Sequence, residues 1–352
     1  AGNGYNFYMT YNYLKENEVG QQNRPVNYER AEKEWNTDML VNMYPKAEWM
    51  ERKGELSTDR PIVPCEYSHA MGNSNGNFDR FWRAIYKYPN LQGGFIWDWV
   101  DQGILETGKG GRKYWTYGGD YGVNPPSDGN FNINGCVNPD RDPHPAMAEF
   151  KYSQQDVGFD PVDIDNGIIR IKNRFFFTCL CKYEVICDIV ANEKVVKTIK
   201  LSEVNKELAT LKPQQSVDVD LHEEVQALKP QVNTEYFLNF KVLAKTDETP
   251  FVPKGYEVAH DQFRLPIEPL PKKCEAEKGP ELHLSNTDES VIVSSKKVEF
   301  NFNKSEGVVK SYKVDGYQYI AEGFGLQPNF WRPPNDNDYG NGGPLRDKFG
   351  RK

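Results

Sequence analysis

Eight apolar residues, Phe175, Phe177, Cys179, Cys181, Tyr183, Val185, Cys187 and Ile189, occupy every second position without a break. A strand sends alternate side chains to one face, so a period of two commits this segment to a half-buried sheet and excludes a helix. Tyr236, Leu238, Phe240 and Val242 repeat the pattern. Asn166-Gly167 and several Lys-Pro pairs punctuate it with turns. Residues 153–268 therefore read as an all-β sandwich. The same alternation predicts that Cys179, Cys181 and Cys187 are small free thiols on the core face.

Residues 1–152 follow a different rule. Short apolar runs at 24–29, 39–44, 61–66 and 94–99 read as four strands. Between the last two, Phe78, Phe81, Trp82, Ile85 and Tyr88 recur at helical spacing, with Asn77 placed to cap the helix. Strand–helix repetition implies parallel strands joined by right-handed crossovers. Four such strands make half of an eight-stranded (β/α)8 barrel or, alternatively, a small open α/β sheet. Residues 269–281 fall in a Pro-rich linker. A new β region occupies 282–352, where Val298, Phe300 and Phe302 alternate and Asp315-Gly316 signals a hairpin. About 70 residues make a thin sandwich, so this looks like the start of a larger one. The fold class is multidomain, α/β plus all-β.

The 352 residues suit two or three domains. No run approaches the roughly 20 apolar residues of a membrane-spanning helix. A net charge of −8, with no Lys/Arg cluster interleaved with aromatics, argues against a nucleic-acid partner. The six cysteines form no CxxC pair, so a structural zinc site is not expected. Disulfides are not required, and the compartment of a soluble protein, cytoplasm or periplasm, stays open. No signal peptide is present, but Ala1 does not look like a natural start.

Tyr44, Glu66 and Asp98 fall at the C-terminal ends of three of the α/β strands, the edge that faces the catalytic mouth of a parallel barrel. A carboxylate there can act as nucleophile or general acid/base. A buried Glu66 paired with an arginine is the bland alternative. Trp97 and Trp99 flank Asp98 on one side of their strand, so one can serve as an apolar platform for a sugar and the other as barrel filling. Tyr44 can donate a proton or hydrogen-bond a hydroxyl. Glu66/His69 and Glu257/His260 each form ExxH, but nearby Pro and Gly deny the long facing helices a dimetal bundle needs. In the polar loop 128–135, Asn134 and a backbone carbonyl could ligate a hard cation, and His144 reads as structural.

Four stretches carry a family resemblance. Cys-Glu-Tyr-Ser-His-Ala-Met-Gly-Asn-Ser (65–74) resembles the nucleophile motif of the large bacterial β-galactosidases of glycoside hydrolase family 2. Leu-Gln-Gly-Gly-Phe-Ile-Trp-Asp-Trp-Val-Asp-Gln (91–102) is similar to their next barrel strand, and Asp-Arg-Asp-Pro-His-Pro-Ala (140–146) to the segment closing their barrel. Phe-Trp-Arg-Pro-Pro-Asn-Asp-Asn-Asp (330–338) resembles a segment early in their last domain. The resemblance implies the C-terminal half of a TIM barrel, an immunoglobulin-like sandwich, and the start of a large terminal sandwich.

It also implies roles. Glu66 would be the nucleophile, with Tyr44 hydrogen-bonded beside it. His69 would contact the galactosyl hydroxyls and Trp97 would be the sugar platform. The Phe131 carbonyl and Asn134 would hold a sodium ion. Magnesium is implied too, with its ligands mostly outside this chain. Substrates would be β-galactosides such as lactose, and the chain would act as a homo-oligomer or with a missing N-terminal half. Residues 1–7 look like the stretch just after the family's Asn-Glu acid/base pair, so the acid/base Glu is expected to be absent and the isolated chain inactive. Ser127 stands where related enzymes often have Asn, a departure in the same loop. A β-glucuronidase, a β-mannosidase or a non-catalytic carbohydrate-binding scaffold are the rival readings.

Overall fold

The computed structural model describes residues 4–17, 23–56, 58–72, 74–129, 131–272, 279–321, 324–326, 332–333 and 338. Most of the 330–338 motif, Trp331 included, lies outside them, as do Asn73 and Asn130. The described residues divide into two compact units, one running up to Leu270 and the other beginning at Pro271.

The first part of unit 1 holds three main helices around a parallel ladder: α1 (Tyr5–Glu16), α2 (Ala47–Gly54) and α3 (Phe78–Lys87). Leu40 pairs with Ile62, Met43 with Glu66, Ile62 with Leu91, Tyr67 with Ile96, and Val100 with Val137, all parallel. The strand order therefore follows the chain, as the barrel reading requires, but the barrel does not close among the described residues. The predicted strands survive only as isolated bridges. Pro61 and Pro64 lack the N–H a ladder needs, which interrupts regular pairing in the middle segment. Residues 24–28 form no strand, which corrects that expectation. Val26 is held instead by its amide, which donates to the Asp38 carboxylate at 2.7 Å.

Met50, Ile62, Ala84, Ile85 and Leu91 form the core between this ladder and helices α2 and α3. Helix α3 starts where its apolar spacing predicts, but its cap chemistry differs. Asn77 sits in the left-handed region at φ 64° and makes no cap bond through its side chain. Glu149 from α4 (Ala146–Ser153) takes over, accepting from the Phe78 amide at 2.8 Å and the Asp79 amide at 3.3 Å. An anionic acceptor at a helix N-terminus satisfies two orphan donors and complements the dipole. A two-stranded hairpin, β1 (Ile104–Thr107) with β2 (Lys113–Thr116), stands on its own beside the ladder.

The all-β region is a seven-stranded sandwich. Strands β3 (Val157–Asp163), β4 (Ile168–Asn173) and β7 (Ser216–Asp220) make one sheet in the order β3-β4-β7. The other runs β6-β5-β8-β9, with β5 Tyr183–Ala191, β6 Lys194–Lys200, β8 Tyr236–Ala244 and β9 Glu257–Arg264. All pairings are antiparallel. Burial along β8 alternates without a fault, and Leu238, Phe240 and Val242 are wholly buried, as the period-2 reading predicts.

The long run at 175–189 behaves differently. Strand β5 begins only at Tyr183. The buried Asn173 side chain donates to the Thr178 and Leu211 carbonyls and accepts from the Phe175 amide. That clamp turns the chain out of the sheet, and Phe177 ends up almost fully exposed. Cys187 is the core thiol that the alternation predicts. Cys179 and Cys181 are not, which corrects that expectation: Cys181 is exposed, and its sulfur lies against that of Cys179, with Cα atoms 5.2 Å apart.

Unit 2 is a five-stranded antiparallel meander: β10 (His283–Asn286), β11 (Ser290–Ser294), β12 (Val298–Asn303), β13 (Val308–Val314) and β14 (Tyr317–Gln318). The β13–β14 turn is Asp315-Gly316 with φ of 47° and 79°. Two positive φ values are what a two-residue hairpin demands, and Gly meets the second without strain.

Candidate active site

Glu66 lies at the C-terminal end of the middle ladder segment. Its carbonyl accepts from the Tyr44 amide at 2.7 Å, which ties the ends of two parallel segments together. The Tyr44 phenol lies beside the Glu66 carboxylate. Burial and that carboxylate both push the phenol's pKa well above its ordinary value, so Tyr44 stays protonated and can donate towards Glu66.

His69 follows one turn later. Its ring lies 5.8 Å from the Tyr44 ring and 5.4 Å from the Phe131 ring. Local geometry fixes it. Ser68 is left-handed at φ 48°, Asn75 donates to the Ser68 carbonyl at 2.6 Å, and the Ala70 amide donates to the Trp97 carbonyl at 2.8 Å. Burial lowers the imidazole pKa, against the pull of Glu66 and Asp98, which leaves the ring neutral at pH 7.

Trp97 and Asp98 are joined by a cis peptide bond. The Asp98 amide donates to the Asn134 carbonyl at 2.9 Å, and Gln102 donates to the Asp98 carboxylate at 2.7 Å. Burial raises the Asp98 pKa, partly offset by the Gln102 bond. Trp99 is 62% exposed.

Four of these side chains share one property. His69 Nε2, Trp97 Nε1, Asp98 Oδ1 and Asn134 Oδ1 are buried and have no hydrogen-bond partner. Only eight such atoms occur among the described residues, and half fall within this one neighbourhood. Buried polar groups are nearly always paired, so this concentration marks a place built to receive polar groups from outside. Donors and acceptors are mixed: the indole N–H donates, the two oxygens accept, and the neutral imidazole does either. That set suits hydroxyl groups, which do both.

The predicted site residues thus divide by placement. Glu66, Tyr44, His69 and Phe131 are linked by the contacts above, with Trp97 and Asn134 on adjoining segments. The orphaned Asn134 oxygen, with the neighbouring Phe131 carbonyl, is an uncharged oxygen donor set of the kind a hard cation takes, so these residues fit sodium. No group of three or more His, Cys, Asp or Glu able to hold a metal exists among the described residues. Glu257 and His260 lie 3.0 Å apart on strand β9 rather than on a helix, which disposes of the second ExxH.

One clamp escaped sequence reasoning. Asp101, 4% exposed, accepts from the Gly135 amide at 2.7 Å and pairs with His144 Nε2 at 2.8 Å. It holds the 131–137 loop against the segment carrying Trp97 and Asp98. Gly135 makes this possible, because a Cβ there would collide with the Val100 and Asp101 backbone. Gln102 adds a weaker link, accepting from the Asn134 amide at 3.4 Å. No sequence signal marked it, because the partners of Asp101 lie 34 and 43 residues away along the chain.

Comparison with known proteins adds a separate line of observation. The family model for the TIM barrel domain of glycosyl hydrolases family 2 matches residues 1–159. Beta-galactosidase domain 4 matches 169–266, and the beta galactosidase small chain matches 294–351. A beta-galactosidase of Priestia megaterium is 33% identical over 341 residues, covering 96% of this chain and 32% of the relative. That of Psychromonas ingrahamii is 34% identical, covering 97% of this chain and 33% of its own length. That of Pseudoalteromonas haloplanktis is 34% identical over 86% of this chain and 28% of its own. The chain spans about a third of the length of the curated relatives it matches. No helix among the described residues is long and apolar enough to cross a membrane. With three consecutive family models matching in the order of its own parts, the chain belongs to glycosyl hydrolase family 2.

Proposed function

We propose that this chain supplies the nucleophile half of a retaining β-galactosidase site, acting on terminal β-D-galactosides such as lactose. The single observation that carries the reading is the set of four orphaned buried polar atoms gathered near the Tyr44–Glu66 pair. The Glu66 carboxylate attacks the anomeric carbon and forms a glycosyl-enzyme ester while the aglycone oxygen departs; water then attacks the same carbon and frees Glu66. Tyr44 donates a hydrogen bond that orients Glu66. Neutral His69 and the orphaned oxygens meet sugar hydroxyls, and the Trp97 ring covers the apolar C–H face. Sodium at the Phe131 carbonyl and Asn134 would fix one substrate hydroxyl by direct coordination.

Retaining chemistry needs a second carboxyl about 5–5.5 Å from the first to protonate the leaving oxygen. Asp101 is engaged by Gly135 and His144, and Asp98 is bound by Gln102 through one oxygen while its other belongs to the orphaned set read above as meeting sugar hydroxyls. We infer that neither takes that role, and that the donor comes from a partner chain or an N-terminal half that completes the barrel. A galactosidase is favoured over β-glucuronidase or β-mannosidase because the relatives' names all agree on it.

The leaving group provides the test. Dinitrophenolate departs without a proton, whereas the glucose of lactose does not. The reading expects the chain to release dinitrophenol from dinitrophenyl β-galactoside, to leave lactose intact, and to lose both reactions in Glu66→Gln. Dinitrophenol release that survives Glu66→Gln, or that never occurs in the folded chain, overturns it. Lactose cleavage by the chain alone overturns the inference about the proton donor.

A further inference from the structure

A cavity of about 310 Å³ lies where α3, the end of α4 and the sandwich meet, and none of the candidate active-site residues lines it. We propose that it is a binding site for a neutral monosaccharide, distinct from the Glu66 site. Its volume is at the lower end of the roughly 300–1,000 Å³ range of small-molecule pockets, which suits one sugar ring and no more.

Three features of the wall define the ligand. Trp82 and Tyr86 give it aromatic surface, the partner of an apolar C–H face. Asp79 and Asp261 are matched by Arg83 and Arg174, so the lining charges cancel and favour an uncharged ligand. Ser153 is 8% exposed, and its hydroxyl is buried without a partner. An orphaned hydroxyl in a cavity wall is the mark of a group awaiting a hydrogen bond from outside the protein.

The remaining polar groups are held ready. Tyr152 donates to one Asp261 oxygen at 3.1 Å, leaving the other to accept from a ligand hydroxyl. The Arg174 guanidinium is laid over the Tyr86 ring at 4.1 Å, which fixes its plane at the cavity edge. Burial raises the Asp261 pKa, and hydroxyl donors from a ligand would favour its ionised form. The site also has a physical link to the ladder: the Trp82 indole donates to the Tyr67 hydroxyl at 3.1 Å, and Tyr67 follows Glu66 directly.

The test uses D-glucose as probe, read by saturation transfer from the folded 352-residue chain and by titration. Trp97→Ala removes the platform at the Glu66 site. Ser153→Leu fills the cavity, and Asp261→Asn, nearly isosteric, removes its free acceptor charge. Glucose binding is expected to persist in Trp97→Ala and to weaken at least about tenfold, or 1.4 kcal/mol, in Asp261→Asn and in Ser153→Leu. Binding lost in Trp97→Ala, unchanged in the folded Asp261→Asn variant, or absent from the wild-type chain overturns the proposal. None of these outcomes depends on whether Glu66 forms a covalent adduct.

Discussion

Replacing Asp101 with Ala should loosen the loop that carries Asn134. Two hydrogen bonds end on this carboxylate, one from the Gly135 amide and one from His144. Gly135 is buried, so its amide would be left without a partner, at about 1–3 kcal/mol. The His144 side chain is 35% exposed and regains water, which keeps its share below about 1 kcal/mol. The sum is about 1–4 kcal/mol. Asp101→Asn keeps an oxygen for the Gly135 amide and should cost about half as much. Urea unfolding followed by tryptophan fluorescence is the suitable assay, because six of the seven tryptophans lie before residue 116 and report on this part of the chain. With a slope of about 1–3 kcal/mol per molar urea, the Asp101→Ala midpoint should fall by about 1 M. An unchanged midpoint, or an Asn variant as damaged as the Ala variant, would refute the clamp.

Two further outcomes follow from particular contacts. Glu149→Ala should destabilise the α/β part by about 1 kcal/mol, because it strips the acceptor from the Phe78 and Asp79 amides, whereas Asn77→Ala should change little; circular dichroism melts of the pair decide it. Asp188 is the second. Burial would raise its pKa, but the Thr198 hydroxyl and the Lys241 ammonium outweigh burial and hold it below the ordinary carboxylate value. Its stabilisation is therefore present above the unfolded-state pKa of about 4 and is lost as pH falls through the lower folded value. Denaturation midpoints taken from about pH 6 down to 2 should fall more steeply for wild type than for Asp188→Asn, and parallel curves would contradict this.

How much of the molecule was legible in its sequence depended on the range of the interaction. Strand β8 was readable because each residue's fate follows from its own parity, and nothing distant interferes. The run at 175–189 failed at its first half because Asn173, outside the pattern, hydrogen-bonds across the turn and cancels the alternation. The parallel ladder was readable in order but not in regularity, since prolines inside it remove donors. Glu66, Tyr44 and His69 stood out as polar residues closing or following apolar runs. Their mutual contact, and the orphaned state of His69, Trp97, Asp98 and Asn134, exist only once segments up to about 90 residues apart are folded together. The α3 cap shows the same limit: Asn77 has the right residue type, but the working acceptor is Glu149, 71 residues away from Phe78.

The central claim, that Glu66 is the nucleophile, is tested most directly by trapping. Dinitrophenyl 2-deoxy-2-fluoro-β-galactoside has a leaving group that needs no acid, and its fluorine slows hydrolysis of the ester once formed. Intact-mass and peptide mass spectrometry of the 352-residue chain should find one fluorogalactosyl group, attached to Glu66 and absent from Glu66→Gln. Labelling of another carboxylate, or equal labelling of the Gln variant, would contradict the account.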